Sequence, residues 1–95
     1  MLKWLDASEA TKQADDAVAE IKKLVPPAEL ANDANSRAKH IRKLAGTINK
    51  HRHKYATTGY NIYQKSKFAN RVKWHLRDEG YPDDFIDSLI RLLII

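Results

Sequence analysis

The sequence predicts an all-α fold, a small bundle of about four helices. Apolar residues recur at intervals of three and four along most of the 95-residue chain, and Gly or Pro residues separate these periodic stretches. The composition, 43% hydrophobic and 31% charged, is typical of a folded protein, and this length suits one core. We therefore expect a single helical domain over residues 1–95.

The first predicted helix spans residues 8–25. Ser8 is an acceptable N-cap, and the pair Pro26-Pro27 cannot continue a helix. The apolar side chains between them share one face: Ala10, Ala14, Ala17, Val18, Ile21, Leu24 and Val25. Alanines dominate the first half of this face, which permits close packing against a neighbouring helix.

The second predicted helix spans residues 33–55, with Asp33 or Asn35 as its cap. Its apolar residues lie within one sector of a helical wheel: Ala34, Ala38, Ile41, Leu44, Ala45 and Ile48. Basic residues occupy the opposite sector: Lys39, Arg42, Lys43, Lys50, His53 and Lys54. A continuous helix would extend this basic stripe over about 22 Å, which is long enough to meet several phosphates.

The third predicted helix spans residues 61–79 and follows a turn at Thr57-Thr58-Gly59. Asn61 can cap its start, and Gly80 is suited to end it in a left-handed conformation. One face is apolar: Ile62, Phe68, Ala69, Val72 and Leu76. The other face mixes aromatic rings with cations: Tyr63, Lys67, Asn70, Arg71, Trp74 and Arg77.

The fourth predicted helix spans residues 83–95, with Asp83 or Asp84 as its cap. Acidic residues at this end favour a helix start because they face the positive end of the helix dipole. Apolar residues cover the helix nearly all round: Phe85, Ile86, Leu89, Ile90, Leu92, Leu93, Ile94 and Ile95. This helix is therefore either enclosed in the core or available to bind a second copy or an acidic protein partner.

Charge is divided into three blocks along the chain. Residues 1–33 carry a net charge of −3, residues 34–77 carry twelve Lys or Arg and no acid, and residues 78–95 carry −4. Ordinary solvated helices mix both signs, so an acid-free block favours a surface that binds a polyanion. The alternative is that the acidic ends fold back and neutralise the centre, within the bundle or in a dimer.

These patterns favour a small non-enzymatic protein that binds a polyanion, with nucleic acid as the preferred partner and DNA or RNA left open. The predicted contacts are Lys39, Arg42, Lys43, Lys50, His53, Lys54, Lys67, Arg71 and Arg77. Trp74 and Tyr63 would stack on bases if they are exposed. Because tryptophan is mostly buried in proteins, however, we expect Trp74 in the core. The competing function is protein interaction or self-association through the apolar C-terminal helix.

No pattern predicts a catalytic site, a cofactor or a metal. The triplet His51-Arg52-His53 places two histidines on different sides of a helix with no acid nearby in sequence, so we expect solvated histidines rather than metal ligands. Neither the first ten residues nor the terminal Leu92–Ile95 resembles a signal peptide or a membrane span. We therefore expect a cytoplasmic protein without membrane insertion.

Overall fold

The computed structural model describes residues 6–30 and 37–94 and confirms the prediction of a small all-α bundle. This part of the chain contains five α-helices and one short 3-10 turn at Pro27–Leu30. The helices are α1 (Ser8–Leu24), α2 (Arg37–Lys43), α3 (Ala45–Thr58), α4 (Ile62–Asp78) and α5 (Asp83–Ile94). The first, third and fourth predicted helices correspond to α1, α4 and α5.

The two ends of α4 are formed by the residues that the sequence indicates. At its start, the Asn61 side chain accepts a hydrogen bond from the Gln64 backbone N–H at 2.8 Å, and the Gln64 side chain accepts one from the Asn61 N–H at 3.0 Å. At its end, Gly80 has φ 96°, and the Tyr81 N–H donates to the carbonyl of Leu76 at 3.1 Å. This left-handed cap satisfies carbonyls that the helix would otherwise leave unpaired.

The predicted continuous helix over residues 33–55 is wrong. Residues 33–36 lie outside the described residues, and the remainder divides at Leu44 into α2 and α3. The Leu44 N–H donates to the carbonyl of Ile41, three residues back, at 3.0 Å. This tighter turn interrupts the α-helical ladder and with it the straight basic stripe. The second half also continues further than predicted, to Thr58, where Gly59 at φ 72° ends it.

The four long helices form a closed ring. Both α1 and α5 pack against α3 and α4, so α3 and α4 occupy diagonal corners. The Gln64 side chain donates to the Asp6 carbonyl at one end of the α1–α4 pair, and Lys22 contacts Glu79 at the other. Helices α1 and α4 therefore run in the same direction.

The core is closed by aromatic contacts and by the apolar face of α5. The Tyr55 ring lies 5.7 Å from Tyr60 and 5.2 Å from Phe68, centroid to centroid. From α5, the buried residues are Phe85, Ile86, Leu89 and Leu93. Leu92 and Ile94 remain 38% exposed, so core packing accounts for most, but not all, of the apolar surface of this helix.

A buried glutamine connects α1 with α3 and with the turn that follows it. Gln13 is 1% exposed; its amide nitrogen donates to the His51 carbonyl at 3.1 Å, and its amide oxygen accepts from the Tyr60 hydroxyl at 2.7 Å. These bonds satisfy polar groups that burial would otherwise penalise. No helix in the described ranges is both long enough and apolar enough to span a membrane.

Candidate nucleic-acid interface

The predicted contact residues do not form one surface. Because α3 and α4 lie at diagonal corners, their outer sides point in opposite directions. We call the first surface the α2–α3 face, formed by Lys39, Arg42, Lys43, His53 and Lys54, and the second the α4 face, formed by Tyr63, Lys67, Lys73, Trp74 and Arg77. The two remaining predicted contacts, Lys50 and Arg71, lie at contacts between helices.

Trp74 is at the centre of the α4 face and is 53% exposed, so the expectation that it lies in the core is wrong. Phe68 and Val72 take the core-facing positions of α4, and Trp74, two residues after Val72, points away from them. Cations lie over its ring: Lys73 Nζ is 5.8 Å and Arg77 Cζ 5.4 Å from the ring centroid. These distances suit cation–π attraction.

Tyr63 forms the second ring of the α4 face. It is 39% exposed, and Lys67 Nζ lies 5.5 Å from its ring centroid. The rise of an α-helix separates Tyr63 from Trp74 by about 16 Å along the axis. Beside it, Ile62 is 83% exposed, although the wheel predicts it on the apolar face. Ile62 lies at the edge of that apolar sector, in the first turn of α4, where the core does not cover it.

Arg71 belongs to α4 but binds a carboxylate of α1, so it is not part of the α4 face. Its Nε donates to Asp15 Oδ1 at 2.8 Å and its Nη2 donates to Oδ2 at 3.1 Å, while His75 Nδ1 lies 3.2 Å from Oδ1. The hydrogen bonds from Arg71 lower the pKa of Asp15; partial burial opposes this, and His75 contributes in the same direction as Arg71. This paired guanidinium would have to exchange its carboxylate before it could contact a phosphate.

Lys50 is also paired with a carboxylate, at the contact between α1 and α3. Its ammonium donates to Glu20 Oε1, and His51 Nε2 lies 3.2 Å from Glu20 Oε2. Partial burial acts to raise the pKa of Glu20, but the hydrogen bonds and charges of Lys50 and His51 outweigh it and lower that pKa. The expectation of solvated histidines is wrong for His51, which is 3% exposed because it shares the buried side of α3 with Ile48 and Tyr55.

The α2–α3 face offers charge without an exposed Trp, Tyr or Phe ring. Ile41, Leu44 and Ile48 lie in or against the core on both sides of the helix break, so α2 and α3 each turn an apolar side inward. All five residues of this face are exposed, and none makes an ion pair with a carboxylate of the described residues. Tyr55, the aromatic residue of α3, is buried in the core.

Sequence reasoning missed Lys73, which the structure places against Trp74 on the α4 face. A wheel assigns directions to positions but does not show that a flexible lysine folds over the ring of the next residue. Trp74 also lines a cleft of about 270 Å³ together with Arg71, His75 and Asp78. The cleft is shallow, and it presents the indole ring at the edge between α4 and α1.

Within residues 6–30 and 37–94, no group of three or more His, Asp or Glu side chains could hold a metal ion. Comparison of the chain with protein-family models, with curated proteins and with solved structures finds no match. The two faces differ in their chemistry: the α4 face combines Trp and Tyr rings with cations, and the α2–α3 face carries Lys, Arg and His without an exposed Trp, Tyr or Phe.

Proposed function

We propose that the protein binds nucleic acid without catalysis and that the α4 face contacts the bases. The exposure of Trp74 between Lys73 and Arg77 carries this proposal. Tryptophan is highly buried on average, so a ring that is half exposed stabilises the fold less than it could. A ring that stacks on a base, with cations beside it for the adjoining phosphates, is the arrangement of single-strand binding surfaces.

The α4 face suits a single strand better than a duplex. In a duplex each base is stacked on its neighbours, so its flat face is not accessible to a protein ring. In a single strand, bases can turn outward onto Trp74 and Tyr63 while the backbone follows Lys67, Lys73 and Arg77. Three such phosphate contacts give a salt dependence with a slope of about −2 in a plot of log affinity against log salt concentration.

The test is fluorescence anisotropy of labelled single-stranded RNA, single-stranded DNA and duplex DNA, between about 50 and 200 mM salt. We expect tighter binding of the single strands than of the duplex. Replacing the indole in Trp74→Ala should weaken single-strand binding by roughly 5-fold to 150-fold, since one stacked base contributes about 1–3 kcal/mol.

A pair of double variants separates the α4 face from net charge. Lys67→Gln/Lys73→Gln should weaken binding and reduce the salt slope by about 1.4. Lys12→Gln/Lys23→Gln removes the same charge from the exposed side of α1 and should leave both quantities nearly unchanged. Equal losses in the two variants would contradict the assignment to α4, and no binding at low salt would remove the proposed function altogether.

A second candidate function is protein docking or self-association, and the exposure of Ile62 favours it. This side chain is 83% exposed beside the half-exposed Tyr63, and such a pair is a suitable apolar anchor at a protein interface. Sedimentation velocity of the full chain and of Ile62→Asp tests it. An oligomer that dissociates in the variant supports it, whereas a wild-type protein that is monomeric at high micromolar concentration excludes self-association.

A further inference from the structure

The two basic faces lie on opposite sides of the molecule. Helices α3 and α4 each pack against α1 and α5, and the outer sides of two helices at diagonal corners point away from each other. Across its two shorter axes the molecule measures 23 and 19 Å. Away from the short turn that joins α3 to α4, a ligand segment seated on one face is therefore separated from the other face by the thickness of the bundle.

The helices between the two faces do not extend the positive surface. The exposed acids of α5 outnumber its single exposed cation: Asp83, Asp84 and Asp87 against Arg91. The exposed side of α1 carries both signs, with Glu9 and Asp16 beside Lys12 and Lys23. A phosphate chain thus meets unfavourable or neutral charge when it leaves either basic face across α1 or across the N-terminal half of α5.

Screening makes the two faces electrostatically independent. The Debye length is about 8 Å at physiological ionic strength, so charges separated by two such lengths barely interact through solvent. The shortest dimension of the molecule, 19 Å, exceeds that separation. Phosphates bound on one face consequently do not repel phosphates bound on the other, and occupation of one face leaves the affinity of the other nearly unchanged.

From this geometry we infer that the protein holds two nucleic-acid segments at once and bridges them. The inference rests on the proposed function of the α4 face. The α4 face takes a single strand by stacking and phosphate contact. The α2–α3 face has four Lys or Arg residues and no exposed Trp, Tyr or Phe ring, so it takes the phosphate backbone of a second segment, single-stranded or duplex, with no preference for base sequence.

Stoichiometry with short single-stranded oligonucleotides is the first measurement, because a short strand cannot reach both faces. Native mass spectrometry of the full chain should show two oligonucleotides on one protein molecule at saturation. Lys39→Gln/Lys43→Gln and Lys67→Gln/Lys73→Gln should each reduce this number to one. Trp74→Ala should weaken only one of the two binding events.

Bridging itself is measured by energy transfer between a donor-labelled duplex and an acceptor-labelled single strand of unrelated sequence. The wild-type protein should bring the two labels together, and either double variant should abolish the transfer while still binding one ligand. Sedimentation of the same mixture establishes whether the complex contains one chain, which separates bridging by two faces from bridging by a protein dimer.

Two results would overturn the inference in different ways. Saturation at one oligonucleotide per chain, with Lys39→Gln/Lys43→Gln binding as the wild type does, would overturn bridging and leave the α4 site intact. Failure of every nucleic acid to bind at low salt would overturn both the bridging and the proposed function.

Discussion

Cations on the two sides of α4 have different partners. On the α1 side of α4, Arg71 is held by both oxygens of Asp15, at 2.8 and 3.1 Å. On the outer side, only a few residues away, Lys73 and Arg77 have the Trp74 ring as their neighbour, and the nearest described carboxylate oxygen to Arg77 Nε is that of Asp83 at 3.9 Å. The number of cations in a stretch of sequence therefore does not measure a binding surface; the direction in which each side chain leaves its helix does.

The acids of the chain explain which cations are paired. Asp15 and Glu20 lie on the two edges of α1 and reach α4 and α3 respectively. Neither reaches the outer side of those helices. Within the described residues, the carboxylates that hold Arg71 and Lys50 therefore lie at contacts between helices. Among the cations of the α4 face, Arg77 Nε lies 3.9 Å from Asp83 Oδ1, and Lys67 and Lys73 make no ion pair with a described carboxylate.

Among the variants that compare a buried with an exposed polar side chain, Gln13→Ala should lose the most stability. The substitution leaves the Tyr60 hydroxyl without its partner in a site where Tyr60 is only 5% exposed. We expect a loss of about 2–3 kcal/mol in the free energy of unfolding, measured by urea denaturation. The neighbouring exposed Lys12→Ala should change it by less than about 0.5 kcal/mol. Similar losses in the two variants would show that the buried bridge does not stabilise the bundle.

The next comparison is between the buried hydroxyl of Tyr81 and the exposed hydroxyl of Tyr63, measured by the stability lost when each is removed. The Tyr81 hydroxyl donates to the Val25 carbonyl at 2.6 Å, and Tyr81→Phe should cost about 1 kcal/mol. Tyr63→Phe, on the exposed α4 face, should cost almost nothing. Equal effects in urea denaturation at neutral pH would contradict this assignment of the two hydroxyls.

The same tyrosine predicts the alkaline limit of stability. Burial, together with the charges of Glu79 and Glu29, raises the pKa of Tyr81 to about 12. The folded state thus favours the neutral phenol. Its contribution to the free energy of unfolding is complete below the pKa of tyrosine in the unfolded chain, about 10, and is lost as the pH rises towards 12. The free energy of unfolding should fall over this range less steeply in Tyr81→Phe than in the wild-type protein.

The pairing between α1 and α4 predicts a smaller, acid-side effect. The pKa of Asp15 is lowered in the folded state, so the ionised carboxylate stabilises the fold above the ordinary aspartate pKa of about 3.9. That contribution disappears as the pH falls through the lowered folded-state pKa. Asp15→Asn should therefore be less stable than the wild type at neutral pH and should lose less stability on acidification. Because both side chains are substantially exposed, the effect should be smaller than that of Gln13→Ala.

Local features of the fold could be predicted from the sequence, and long-range features could not. Asn61, Gly80 and the prolines after α1 act within a few residues of themselves, so helix ends follow from them directly. The contact of Glu20 with His51 joins residues 31 positions apart, and no periodicity indicates which helices become neighbours. The closed ring, and with it the separation of the two basic faces, depends on packing between helices.

Trp74 shows how a general statistic can mislead where a local pattern is correct. The helical wheel places it opposite Phe68 and Val72, among cations, and the structure agrees with the wheel. The expectation of burial rests on the average behaviour of tryptophan, which describes proteins in general rather than this helix. An exposed tryptophan on a well-defined amphipathic helix is a departure from that average, and such departures mark candidate sites.

The smallest expected effect gives the most direct comparison. The same Lys→Gln substitution should raise the free energy of unfolding at position 43 and lower it at position 50. Lys43 has no ion-paired carboxylate among the described residues and lies one turn from Lys39, a like charge at a spacing that costs about 0.2–0.5 kcal/mol. Lys43→Gln should therefore stabilise the fold by a few tenths of a kcal/mol, more at low salt than at high salt. Lys50→Gln removes the contact with Glu20 and should destabilise it by a comparable amount. Replicate urea denaturation at two salt concentrations resolves the two signs, and a shift in the same direction for both variants would mean that pairing does not distinguish the outer face from the helix contacts.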